Sequence, residues 1–444
     1  MNHQVSLLEA SKFWFKLGCI SFGGPAGQIA TVHQELVENK RWISEKRFLH
    51  ALNFCMLLPG PEALQLVIYI GWLMHKRIGG LIAGLLFILP ALCLLIALSW
   101  LYINFGNTYL LSGIFFGLKP AVTAIVIAAA IRIGKRILRH QDHWIIAALT
   151  FIAISVFNVP FPALILIAAL LGIYLAKKNP EFIVQASHNA SANASHAPAI
   201  IDDHSPIPEH ARFHLLGLIK TAILSKLAWA IPFFLCVWIW GKNGLFTNLA
   251  WFFTKAALLT FGGAYAVLPY VYQSAVDHFH WLSATQMIDG LALGETTPGP
   301  LILVVAFVGY LASQGSMLIG DNAFLSGAFG AFLVSWFIFL PSFCFIFIGG
   351  PLIESTHQES KFSAPLTGIT SAVVGVISSL ALFFAIHTFF PMGIGTNALG
   401  HCIASVLICA LAGIGLIKYQ RSILEVLFAC GILGLIAYSI LHLF

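Results

Sequence analysis

Ser21-Phe22-Gly23-Gly24 and Thr260-Phe261-Gly262-Gly263 decide how this chain reads, because one motif stands in it twice. The offset between the copies is 261 − 22 = 239. At that offset Lys16 meets Lys255, Trp42 meets Trp281, Ser44 meets Ser283, and Pro59-Gly60-Pro61 meets Pro298-Gly299-Pro300. Weaker matches follow at 341 − 90 = 251, where Pro90 and Cys93 meet Pro341 and Cys344, and Gly117, Ala121 and Val122 meet Gly368, Ala372 and Val373. The change, 251 − 239 = 12, is most simply an insertion around Gly315–Asn322. The chain is therefore an internal duplication, and each copy carries two glycine/proline breaks inside apolar sequence. In a membrane protein, breaks at matching positions of two halves are the best sequence pointer to a transport site.

Composition sets the class. Hydrophobic residues make up 59% of the 444 and charged residues 9%, where a soluble domain carries about 25% charged. Mean hydropathy is +0.90. Apolar stretches of about 20 residues recur from end to end, which predicts an all-α polytopic membrane protein rather than a barrel of short alternating strands. Residues 1–16 contain charges and aromatics and do not read as a signal peptide. The eight cysteines lie in apolar segments without metal-binding spacing and read as small packing residues.

The first repeat covers residues 8–176 and the second 245–444. A polar linker, 177–212, and an extra apolar segment within 213–244, centred on Thr221–Trp240, lie between them. The linker lacks a helical apolar period and is expected to be largely disordered and cytoplasmic. Its histidines, among them His188, His196, His204 and His210, are widely spaced and need no metal. An odd number of extra spans inverts the second repeat. Positive charge supports this topology. Lys40, Arg41, Lys46 and Arg47 follow the Gly-Gly segment, and His75, Lys76 and Arg77 follow the Pro-Gly-Pro segment. Both clusters stay inside if each segment is a re-entrant hairpin. The arms agree, at about 12–13 residues or ~19 Å each against a core of ~30 Å. Spans at Ile78–Phe105, Tyr109–Ile131, Trp144–Phe157 and Phe161–Ala176 then follow, and only Lys242 falls on the wrong side. The fold expected is two inverted-topology repeats with glycine/proline-broken re-entrant helix hairpins, N-terminus inside and C-terminus outside. Thirteen full crossings is the competing arrangement, and it needs the Lys40–Arg47 cluster outside.

The breaks carry the candidate chemistry. Gly23, Gly24, Gly262 and Gly263 free backbone at membrane depth, which is tolerated where it is buried in protein or lines a cavity. A helix that starts after a break aims N–H groups and a positive dipole end there. Close helix packing is the plain alternative, but prolines straddling Gly60 and Gly299 cannot sustain a helix. Lys16 and Lys255 sit six residues before the motif phenylalanines. They are either anion ligands or snorkelling side chains. Glu62 and Glu295 flank the Pro-Gly-Pro breaks without being repeat partners. A carboxyl there can carry a proton near neutral pH, cap freed backbone, or pair with a lysine. Thr296, Thr297, Ser21, Thr260, Gln28 and Gln65 could donate to an oxyanion, although such hydroxyls more often bond their own helix. Lys119 faces either the outer interface or a cavity. No phosphate loop, zinc-protease motif or nucleophile elbow is present, so neither an enzyme nor ATP use is expected.

These residues resemble a known family. Phe22-Gly23-Gly24-Pro25, Pro59-Gly60-Pro61-Glu62, Gly117-Leu118-Lys119-Pro120-Ala121-Val122, Phe261-Gly262-Gly263 with Tyr265 and Ala266, and Glu295-Thr296-Thr297-Pro298-Gly299-Pro300 are similar to the signatures of the chromate ion transporters. The resemblance covers nearly the whole chain outside the linker. It implies a bacterial inner-membrane exporter of chromate that confers resistance, working against proton entry or on the membrane potential. Expected partners are a chromate- or sulfate-like oxyanion, protons as coupling ion and the bilayer. A homodimer is compatible with the sequence; no nucleic acid, cofactor or metal is expected. A sulfate transporter and an uncoupled anion channel are the alternatives.

Overall fold

The computed structural model describes residues 5–179, 182, 199–202, 205, 208–355, 363–390 and 399–443. Among these residues the chain is built of helices, with a single isolated bridge between Ile43 and Ile201. The first copy holds α1 (Leu7–Ile20), α2 (Gly24–His33), α3 (Glu45–Cys55), α4 (Glu62–Phe105), α5 (Tyr109–Ile137), α6 (Gln141–Ser155) and α7 (Phe161–Lys178). The unmatched helix is α8 (Leu215–Trp240). The second copy holds α9 (Leu245–Leu259), α10 (Ala264–Tyr272), α11 (Ala284–Thr296), α12 (Val304–Gln314), α13 (Ala323–Ser355), α14 (Ser363–Phe389), α15 (Leu399–Ile417) and α16 (Ile423–Leu443). Eight described helices are long and apolar enough to cross a membrane, so this is an all-α multi-pass membrane protein. The segment expected to span at Trp144–Phe157 forms α6, only 15 residues long.

Local backbone follows the duplication closely. Ser44 and Ser283 each cap the next helix, their hydroxyls accepting from the backbone amides of Arg47 and Gln286 at 3.3 and 3.2 Å. Both copies widen into a π-helical turn, Gln34–Asn39 and Gln273–His278. Both then place one residue in the left-handed region, Arg41 and His280. The helices beside the Gly-Gly breaks are short. α1 has 14 residues and α2 has 10, or about 21 and 15 Å at 1.5 Å per residue. The copies differ at one joint. In the first, α4 kinks at His75 and Lys76, where φ/ψ leave the helical region. In the second, the loop Gly315–Asn322 separates α12 from α13, where the twelve-residue insertion is expected.

The copies interlock through crossed packing. α5 lies against α15 and α16 of the other copy, and α14 lies against α6 and α7. Glycines permit the closest approaches. A β-carbon at Gly117 would collide with the Cys430 carbonyl, and one at Gly368 with the Ala168 carbonyl.

Residues 183–198, the centre of the segment expected to be disordered, lie outside the described residues, as do His188, His196 and His204. The described parts of the linker are docked. Ile200 and Ile201 donate backbone bonds to Arg41 O and Trp42 O, and Ser44 donates to Ile201 O, each at 3.0 Å. Arg47 bonds Ser205 O, His210 Nε2 donates to Trp72 O at 2.9 Å, and Arg77 bonds Gly217 O and Thr221. Ile200, Ile201, Ser205, Gly217 and Thr221 therefore touch the two basic clusters of the first copy. Burial against this surface holds the His210 imidazole below its usual pKa of 6.5. A depressed value means that the docked state binds fewer protons. Docking should be complete above pH 6.5 and weaken as pH falls through the lowered value. Amide exchange over residues 208–212, corrected for intrinsic rates, should be faster at pH 5.5 than at pH 7.5 in the wild type, and His210→Gln should lose that difference.

Candidate functional site

The four breaks meet by exchanging bonds between copies. Gly60 N–H donates to Thr260 O at 2.7 Å, and Gly299 N–H donates to Ser21 O at 2.7 Å. Gly60 and Gly299 are repeat partners, as are Ser21 and Thr260, so each Pro-Gly-Pro break is tied to the Gly-Gly break of the opposite copy. Side-chain amides complete the lattice. Gln28 Nε2 bonds Gly299 O, and Gln65 Nε2 donates to Pro59 O at 2.9 Å. Chain freed from helical bonding thus satisfies much of its polarity with the other half's break, as low-dielectric surroundings require.

Space remains beside the first break. Gly23 and Gly24 have φ of 89° and 68°, and Gly262 and Gly263 have 79° and 94°. A β-carbon at Gly24 would have no heavy atom within 4 Å, and at Gly23, Gly262 or Gly263 none closer than 3.7 Å. Close packing therefore does not explain these glycines, whereas it does explain Gly117 and Gly368. The left-handed backbone does, because a side chain there meets its own carbonyl. α2 and α10 start at these turns with no side-chain cap on their first amides, which leaves donors and the positive helix end facing the gap. The Pro-Gly-Pro glycines are crowded by contrast, since a β-carbon would lie 2.5 Å from Ser342 Oγ at Gly60 and 2.9 Å from Ala91 Cβ at Gly299.

The carboxylates have different settings. Glu295 is buried, and Tyr265 OH donates to its Oε1 at 2.6 Å. Glu62 is half-buried in the first turn of α4, within electrostatic reach of Arg136. Arg132, one turn earlier on α5, is within reach of Tyr265. These two arginines place positive charge within electrostatic reach of Glu62 and of the Tyr265 hydroxyl that bonds Glu295. Their approach to these residues comes from tertiary packing, which periodicity alone cannot give.

The expected donors are largely committed elsewhere. Thr296 and Thr297 hydroxyls donate to Leu293 O and Gly294 O at 2.7 and 2.8 Å. Ser21 and Thr260 bond Leu17 O and Ala256 O at 2.7 and 2.6 Å. Lys16 is exposed on a stripe of α1 with Lys12 and Ile20. Lys255 is half-buried on a stripe with Trp251 and Leu258, its ammonium 5.8 Å from the Trp251 ring centroid. These lateral positions suit snorkelling side chains.

A second feature escaped the sequence reading. Lys119 Nζ, in the first copy, lies 3.5 Å from Asp289 Oδ1 in the second. Tyr102 OH donates to Asp289 Oδ2 at 2.9 Å. The three line a cavity of about 630 Å³ together with His387, His401 and Trp281. An aspartate inside the apolar run of α11 was the available signal, but its partner comes from the other copy. Among the described residues no group of three or more His, Cys, Asp or Glu is arranged to hold a metal.

The two kinds of glycine should respond differently to substitution. Gly117→Ala should destabilise by about 1–3 kcal/mol through overpacking. Gly24→Ala should cost about 1–2 kcal/mol, the left-handed backbone term alone. If the gap at Gly24 is a ligand space, that milder variant should lose more anion flux than Gly117→Ala at matched folded protein, with melting temperature and flux measured on the same preparation.

Known proteins give a consistent answer. The family model described as Chromate transporter matches residues 8–173 and 247–435, one block in each copy. A chromate transport protein of Pseudomonas aeruginosa is 34% identical over 380 residues, covering 84% of this chain and 79% of its own. A chromate transport protein of Cupriavidus metallidurans is 25% identical over 439 residues, covering 98% and 94%. An uncharacterized transporter of Bacillus subtilis matches over 151 residues, 34% of this chain but 75% of its own length. No solved structure matches. With a family block in each copy, and with the breaks of both copies joined in one lattice, this chain belongs to the chromate transporter family.

Proposed function

We propose that this protein is a secondary transporter that exports chromate across a bacterial inner membrane, with the oxyanion held at the crossed Gly-Gly and Pro-Gly-Pro breaks between two inverted repeats. The observation that carries this reading is the reciprocal pair of bonds, Gly60 to Thr260 and Gly299 to Ser21, beside glycines that leave open space and uncapped helix starts. Backbone amides and a positive helix end suit a tetrahedral dianion. Arg132 and Arg136 add fixed positive charge on the approach, and Glu62 and Glu295 are the carboxyls through which protons would couple. Lys16 and Lys255 keep a role only as outer attractors of the anion.

The arrangement of ends supports the orientation. Both early basic clusters bond the same 200–221 segment, as expected if the hairpins re-enter and all these groups face the cytoplasm. The cavity beside Lys119 gathers Gly106, Trp281, Gln314 and His401, all assigned outside by the same topology. The N-terminus would be cytoplasmic and the C-terminus periplasmic. Export of a dianion is favoured by about 2.3 kcal/mol per charge per 100 mV, inside negative.

Chromate uptake into inside-out vesicles tests this, with sulfate as competitor and a pH gradient applied or collapsed. Concentrative uptake that falls with the gradient is expected, and Glu295→Gln should remove the gradient dependence while keeping the fold. Lys16→Ala and Lys255→Ala should reduce uptake about two- to threefold, the scale of one screened surface charge. Uptake that only equilibrates would mean a channel. Complete blockade by equimolar sulfate would make sulfate the physiological substrate.

A further inference from the structure

The Lys119–Asp289 pair is the second strongly polar point between the copies, and it stands at one end only. The repeat partner of Lys119 is Thr370 and that of Asp289 is His50. Lys119 and Asp289 are the only Lys, Arg, Asp or Glu side chains lining the 630 Å³ cavity among the described residues, so its formal charge cancels. The remaining polar lining, such as Asn107, Ser112, Thr285, Gln286 and Ser405, is neutral and rich in donors. Asp289 is buried and fixed from its far side by Tyr102, which holds the carboxylate against Lys119. At the opposite end Arg132, Lys135 and Arg136 are exposed, and none is in an ion pair within 4 Å among the described residues.

We propose that Asp289 masks Lys119, making the outer cavity a latent site for tetrahedral divalent oxyanions that stays closed to anions arriving from outside. A cavity with one unpaired lysine and a ring of hydroxyl and amide donors would bind sulfate or chromate from either direction. A carboxylate supplied by the opposite copy removes that attraction and adds repulsion for a dianion. The unpaired arginines at the other end attract from the cytoplasm. The molecule thereby offers unpaired positive charge on the entry side, while the outer cavity itself carries none in excess. This deepens the export reading and depends on it only for which end faces outside; the masking itself does not.

Equilibrium binding of radiolabelled sulfate to the full chain in nanodiscs tests the masking. Asp289→Asn should bind sulfate about tenfold more tightly than the wild type, the scale of about 1.4 kcal/mol. Asp289→Glu should bind like the wild type, and Asp289→Asn with Lys119→Ala should return to the wild-type level. Tyr102→Phe, which leaves both charges in place and loosens the carboxylate, should give a smaller gain and serves where Asp289→Asn does not yield monodisperse protein. Equal binding by Asp289→Asn and the wild type would overturn the proposal. So would a gain that survives in the double variant, or no gain in Tyr102→Phe. Wild-type vesicles that fail to transport chromate would instead remove the export reading and leave the masking result standing.

Discussion

A peptide group in hydrocarbon must find a partner inside the protein, and each unpaired one costs several kcal/mol. Four helix breaks buried in the protein make that constraint severe here. The fold meets it by reciprocity, with the amide released at Gly60 going to Thr260 and the one released at Gly299 going to Ser21. Much else follows from this exchange. The copies must interleave, α5 and α14 must cross into the opposite half, and small residues must sit where these crossings are closest. Of the four breaks, the Gly-Gly turns are the ones where freed backbone has space beside it.

The same exchange explains what could be read from the chain. Duplication, helical class and the positions of the breaks depend on local sequence, and they stood out as an offset of 239. The serine caps at Ser44 and Ser283 belong to that layer. The π-turns and the left-handed Arg41 and His280 do not, because neither has a residue type that demands them. Nor does an offset reveal whether Gly60 bonds its own copy's Gly-Gly turn or the other's. Asp289 was passed over because its partner, Lys119, lies 289 − 119 = 170 residues away in the other copy, at no repeat spacing. Conversely, Lys16 and Lys255 drew attention by being duplicated, although symmetry preserves a lateral stripe as readily as a ligand. The hydroxyls of Thr296 and Thr297 had two readings, and self-bonding to the helix is what the backbone geometry provides.

Departures from symmetry are as informative as the symmetry. A perfect two-fold molecule would treat both faces of the membrane alike and could not prefer a direction by its own electrostatics. Three departures bear on the architecture and on the cavity. α8 has no counterpart, a sharp kink in one copy is a loop in the other, and Lys119–Asp289 is matched by Thr370 and His50. The first belongs to connectivity and the second to the joint between the hairpin and the long helices. The third alters fixed charge, as do Glu62 and Glu295, which are not repeat partners, and the Arg132–Arg136 run, whose repeat partners at offset 251 include Phe383 and His387.

The crossed glycine bonds also impose an order of events on the growing polypeptide. Gly60 leaves the ribosome 260 − 60 = 200 residues ahead of Thr260, roughly 10–40 s at about 5–20 residues per second. Throughout that wait the first half sits in the bilayer with an unmatched amide, so it depends on water or on the insertion machinery for temporary solvation.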